Sequence, residues 1–134
     1  MKKETTRITP EWFMAIIRPE LLQTILTILS IMIKTVAKAL ADEKGRTKKE
    51  NLLLNLRAFV TMETRYTEML KENKGSTVIP ATFLPGEVRL LRKMWNYTIR
   101  MDDASLKKQK LDKQKLDDLD ATLKELEYVI SRFQ

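Results

Sequence analysis

Between Leu22 and Leu40 the apolar side chains Leu22, Ile25, Leu26, Leu29, Met32, Ile33, Val36 and Leu40 recur at helical intervals of three and four residues. At about 100° of turn per residue these intervals keep returning to one side of an α-helix, so the stretch predicts a single helix with a continuous apolar stripe to about Asp42. A stripe of that length needs apolar partners, and the chain repeats the pattern downstream. From about Lys48, the residues Leu52, Leu53, Leu56, Phe59, Val60, Met62, Tyr66, Met69 and Leu70 predict a second buried face, ending near Lys74 and Gly75. A third long helix is predicted from Glu87 to about Met101. In the last, Leu116, Leu119, Leu123, Leu126, Ile130 and Phe133 alternate spacings of three and four, an a/d seam of about two and a half heptads. With three glycines and four prolines among 134 residues, there is little material for the many tight connections of a β fold. The predicted class is all-α: one domain over residues 1–134, a four-helix-type bundle without a sheet.

The shorter segments are fitted around that bundle. Thr9 and Pro10 read as an N-cap and a first-turn proline, and Trp12, Phe13, Ile16 and Ile17 then follow at helical spacing. They predict a short extra N-terminal helix after a flexible stretch, residues 1–8. It is broken at Arg18-Pro19, because the residue before proline is pushed out of the helical region. Residues 75–86, "GSTVIPATFLPG", predict an irregular loop whose Val78, Ile79, Phe83 and Leu84 fold back over the bundle. "DDAS" offers a break and a fresh cap before Leu106. In "LKKQKLDKQKLDD" the leucines Leu106, Leu111 and Leu116 come every five residues. On a continuous helix they would step by about 500° and scatter, so residues 105–115 predict a basic helical extension with no core to join.

The chain contains no histidine and no cysteine. That excludes Ser-His-Asp and Cys-His catalysis, Cys/His zinc sites and disulfides, and the expectation is a protein that is not an enzyme and needs no metal or cofactor. Glu63, between Phe59 and Tyr66 on the apolar arc of its helix, reads as half of a structural ion pair. Asp117 to Asp120, "DDLD", are surface acids too closely consecutive to cage a metal. The opening "MKKETTRITPEW" is polar, and the longest uncharged apolar run, Leu21 to Ile33, is 13 residues against the roughly 20 that span a bilayer. A cytoplasmic chain without a membrane span is expected.

Charge carries the functional expectation. Lysine and arginine number 25 against 18 acids, a formal net charge of +7, which favours anionic partners. On a helical wheel the third helix has apolar residues over about 200°, including Trp95 and Tyr97, which are expected in the core. The remaining arc holds Arg89, Arg92, Lys93, Asn96 and Arg100 and no acid. Such a one-signed strip either tracks phosphates or is paired with Glu63, Glu68 or Asp102. Two further basic clusters are Lys44, Arg46, Lys48 and Lys49, and Lys107, Lys108, Lys110, Lys113 and Lys115. The neutral face Gln23, Thr24, Thr27, Ser30 and Ile31 suggests a protein interface, since no charge must be desolvated there. The resulting expectation is a non-enzymatic subunit of a larger assembly that binds the backbone of RNA or single-stranded DNA without base specificity. The alternative is a structural or adaptor protein that assembles through helix contacts, as a homo-oligomer or with an acidic protein partner.

Overall fold

A computed structural model describes residues 12–133. In chain order it contains β1 (Phe13–Ile17), α1 (Pro19–Asp42), α2 (Arg46–Glu72), β2 (Ile79–Phe83), α3 (Pro85–Thr98), α4 (Asp103–Lys108) and α5 (Lys113–Phe133). The fold is mostly helical, with a small two-stranded sheet. Residues 1–8 and the Thr9-Pro10 cap lie outside the described residues.

Pro19 opens α1 at its first turn, where a missing N–H costs nothing, and Arg18 before it is extended as the proline requires. Of the predicted stripe Leu22, Ile25, Leu29 and Val36 are buried, joined by Leu21 and Ile28, while Leu26, Met32, Ile33 and Leu40 are half-buried. By length and composition alone α1 could cross a membrane. Here its N-terminal half is packed among α2, α3 and α5.

Gly45 caps α2, which forms a hairpin with α1. Its buried residues, Phe59, Met62 and Tyr66, lie from the midpoint onward. Leu53 and Val60 were expected in the core but are 40% and 43% exposed. For Leu53 the cause is the length of the hairpin, because Val36 is the last buried residue of α1 and Asp42 lies about 9 Å further out at 1.5 Å per residue; Val60 follows buried Phe59 but is turned about 100° or more from the Phe59, Met62 and Tyr66 side. Beyond Val36, α2 covers only the narrow line of Leu52 and Leu56, which are half-buried, and Leu53 falls beside that line.

The predicted N-terminal helix is a strand, and the predicted loop at 75–86 contains its partner. β1 and β2 pair antiparallel, with Phe13 opposite Phe83, Ala15 opposite Ala81 and Ile17 opposite Ile79. Residues four apart share a face in a helix and also in a strand, so the spacing of Phe13 and Ile17 could not separate the two. Two restraints do. Pro19 leaves too few residues for a stable helix, and the second apolar run ahead of Pro85 offers ladder bonds and a facing row of Ile79, Ala81 and Phe83, all buried.

The five-residue leucine repeat is not an extension without a core, because Leu106, Leu111 and Leu116 are all buried. They escape scattering because the helix breaks between them. Asp102 caps α4 by accepting the Ser105 N–H at 2.7 Å. At the other end the Leu111 N–H reaches the Leu106 carbonyl at 2.8 Å, and the Lys110 N–H reaches that of Lys107 at 2.9 Å. This is a Schellman closure, which brings its two flanking apolar residues together, here Leu106 and Leu111. Lys110 takes the left-handed position, φ 63°, that glycine usually fills. Chain direction then resets, and α5 buries Leu116, Leu119, Leu123, Leu126 and Ile130 as its seam predicts.

Two outcomes follow for stability. Lys110→Gly is expected to raise the unfolding free energy by about 0.5–1 kcal/mol in urea titrations, because glycine relieves the left-handed backbone, while Lys110→Val lowers it. Leu29→Asp and Leu123→Asp each place a charge at a fully buried site. Each is expected to abolish the cooperative melting transition followed by circular dichroism.

Candidate nucleic-acid interface

The basic strip of α3 is divided in the folded chain. Val88, Leu91, Met94 and Thr98 face the core, which turns Arg89, Lys93 and Asn96 to solvent in one row at spacings of four and three, and Arg100, also exposed, follows in the turn after α3 ends. Among the described residues no carboxylate lies within ion-pair distance of Arg89, Lys93 or Arg100. Glu63, Glu68 and Asp102 are not their partners.

Arg92 departs from this row. Its side chain is 20% exposed and forks onto Glu127 of α5, with Nε to Oε2 at 3.0 Å and Nη2 to Oε1 at 2.8 Å. Its Nη1 donates to Asp120 at 2.7 Å, and the guanidinium lies 5.0 Å from the centre of the Trp95 ring. Trp95 in turn donates its indole N–H to the Leu116 carbonyl at 2.7 Å. Arg92 therefore fastens α3 to α5 and is not available to a ligand. Its hydrogen bond is the largest reason that the Asp120 carboxyl is held below the ordinary aspartate range.

Tyr97 corrects the expectation in the opposite sense. Its position on the apolar arc predicts a core residue, yet it is 40% exposed, and it sits one turn after Lys93 and three residues before Arg100. The covered arc of α3 is narrower than the apolar arc of its sequence, because α1 and α5 reach only the Leu91 side. An aromatic ring thus flanks the cationic row.

A second basic surface forms at the α4–α5 corner. Lys107, Lys110, Lys113 and Lys115 line an open cleft of about 470 Å³, together with Asp103, Leu106, Leu111 and Asp112. Asp112 is engaged by the Lys115 N–H at 2.8 Å, which caps α5, and the Lys115 ammonium donates to the Lys110 carbonyl at 2.9 Å. Lys108 is exposed but does not line this cleft. The same corner overlies the neutral face of α1: Lys110, Leu111 and Lys115 share a smaller cleft of about 260 Å³ with Glu20, Gln23, Thr24 and Thr27. The α4–α5 corner thus borders the Gln23, Thr24 and Thr27 part of that face. Thr24 is buried and donates to the Glu20 carbonyl at 3.1 Å, Ser30 and Ile31 are half-buried, and Gln23 alone of the five is fully exposed.

The third cluster, Lys44, Arg46, Lys48 and Lys49, is exposed at the tip of the α1–α2 hairpin. Arg46 is shared with Glu50 at 3.4 Å. Glu43 folds over the turn and accepts the N–H groups of Gly45 and Lys44; the bond from Gly45 contributes most to lowering its pKa.

The principal internal pair was missed. Glu63 is half-buried and has no ion-pair partner among the described residues, whereas Arg65, two positions on, pairs with Glu87. Arg65 also donates to the Thr82 carbonyl at 2.8 Å, and its guanidinium lies 4.7 Å from the Trp12 ring and 4.8 Å from the Tyr66 ring. Glu87 completes the site by accepting the Leu84 N–H at 2.8 Å, the outermost donor of α3. One sequence signal was present: an acid three residues into a proline-led helix start. Tyr66 lies against this pair with its hydroxyl buried and without a hydrogen-bond partner among the described residues; burial, then the Glu87 charge, pushes its pKa far up.

The Arg92 cluster predicts an acid limb of stability. A carboxyl whose folded pKa is depressed stabilises the fold above its unfolded value, near pH 4, and that contribution disappears as pH falls through the folded value. Arg92→Met should therefore lower the melting temperature at pH 7 and flatten its dependence on pH between about 5 and 2.

No known protein family, curated protein or solved structure matches the chain.

Proposed function

We propose that this protein is a non-enzymatic nucleic-acid-binding subunit that grips the backbone of RNA or single-stranded DNA without reading bases. The observation that carries the reading is the exposed row Arg89, Lys93, Asn96 and Arg100, which has no acid partner among the described residues and is flanked by half-exposed Tyr97. Arg89, Lys93 and Asn96 span about 10 Å of helix at 1.5 Å per residue, and Arg100 in the turn beyond extends the row, with arginine offering two parallel donors and asparagine a neutral one. The tyrosine favours single strands, whose unpaired bases can stack on it. The four lysines of the α4–α5 cleft add point charges without direction, as non-specific binding requires. On this reading α1, α2, α3 and α5 serve as a bundle-type scaffold that holds the row rigid and outward.

Fluorescence anisotropy with single- and double-stranded RNA and DNA, titrated with salt, tests the proposal. Arg89→Gln, Lys93→Gln and Arg100→Gln should each reduce the slope of log K against log salt by about one, equally for unrelated sequences. Tyr97→Ala should weaken single-strand binding by roughly tenfold and leave duplex binding unchanged. A parent protein that binds none of the four more tightly than about 10⁻⁴ M overturns the reading. Capture of an acidic protein by the same row would then replace it.

A further inference from the structure

α2 and α3 are tied together by the Arg65–Glu87 pair, and otherwise they pack on α1 and not closely on each other. The side chains that border the gap are short: Thr61 and Ala58 on α2, one and two turns before Arg65, and Gly86 in the first turn of α3. Nothing long reaches across from either wall. What remains is a cleft of about 580 Å³ with buried Met62 at its floor and half-buried Leu84 and Leu90 along the α3 side. Small-molecule sites run from about 300 to 1,000 Å³ and are mostly apolar with a few polar groups, and this cleft has that size and that composition.

Two charged residues line it, and they differ in what they can offer. Glu87 is buried, its charge is met by Arg65, and its Oε1 already accepts the Leu84 N–H. Arg57 is exposed, and among the described residues no carboxylate lies within ion-pair distance of it. The cleft therefore presents carbon along its walls and one uncompensated positive charge at its rim. Its complement has an apolar body, since a polar one would give up water without finding partners, and a single negative group for the guanidinium. A nucleobase does not meet that description, because its edge donors and acceptors would face Met62, Leu84 and Leu90.

We propose that the cleft between α2 and α3 is a binding site for a small amphipathic carboxylate of the medium-chain fatty acid kind, with its chain on Met62, Leu84 and Leu90 and its carboxylate on Arg57. The guanidinium offers two parallel N–H donors to the two carboxylate oxygens. The head group stays at the wet rim, so no charge is buried, and burial of the chain supplies most of the affinity. Arg57 stands about 12 Å along α2 from Arg65, at 1.5 Å per residue, and the Arg65–Glu87 pair closes that end. The distance sets a limit on chain length. None of these residues belongs to the α3 row, so the site is independent of nucleic acid.

Isothermal titration calorimetry of the full chain with hexanoate, octanoate and decanoate, each below its micelle concentration and without nucleic acid, tests the proposal. One ligand should bind per chain, and each added methylene should tighten binding by up to about fourfold. Arg57→Gln should weaken decanoate by about three- to tenfold and leave uncharged decanol unchanged. Thr61→Trp, which brings an indole into the cleft from an exposed position, should abolish binding of both, with circular dichroism confirming the fold. A parent that binds decanoate no more tightly than about 1 mM overturns the proposal. So does binding that survives Thr61→Trp in a folded chain, or binding that Arg57→Gln weakens equally for decanoate and decanol.

Discussion

Arg65 stands where three elements meet, and the placement of the rest depends on it. From α2 it reaches Glu87 in the first turn of α3, the Thr82 carbonyl on β2 and the ring of Trp12 just before β1. Glu87 is buried and returns the bond by holding the Leu84 N–H, so the start of α3 is fixed to the end of β2. A carboxylate at such a depth is tolerated because its charge and its hydrogen bonds are answered together. Without Arg65 it would be a buried charge with one neutral donor, and the junction of the sheet with α2 and α3 would lose the side chain that joins them.

A second ionic cluster completes the arrangement on the other side of α3. Arg92 is bound by Asp120 and Glu127, with Trp95 beneath it and the Trp95 indole tied to α5. With Glu87 fixing its first turn to α2 and Arg92 fixing its middle to α5, α3 cannot rotate about its own axis. That is what gives meaning to its outward row. Of the four cations, the one turned toward α5 is neutralised, Arg89 and Lys93 are carried on a helix whose orientation is determined by buried contacts, and Arg100 follows in the turn at its end. Surface cations on a freely rotating helix would present no defined line to a phosphate backbone.

How much of this could be read from the sequence depended on the range of the interaction. The stripes of α1 and α5 were legible because their period is local and their neighbours are helices. The α3 row was legible in composition, but the withdrawal of Arg92 was not: its acids are 28 and 35 residues away, and nothing local distinguishes them from the other acids of "DDLDATLKELE". β1 was misread because the Phe13 and Ile17 spacing suits helix and strand alike, and only a partner 66 residues on, Ile79 to Phe83, decides between them. The leucines at 106, 111 and 116 were misread for a different reason. A period of five scatters leucines on one continuous helix, whereas a Schellman turn at a lysine, where glycine would have announced it, divides the segment in two.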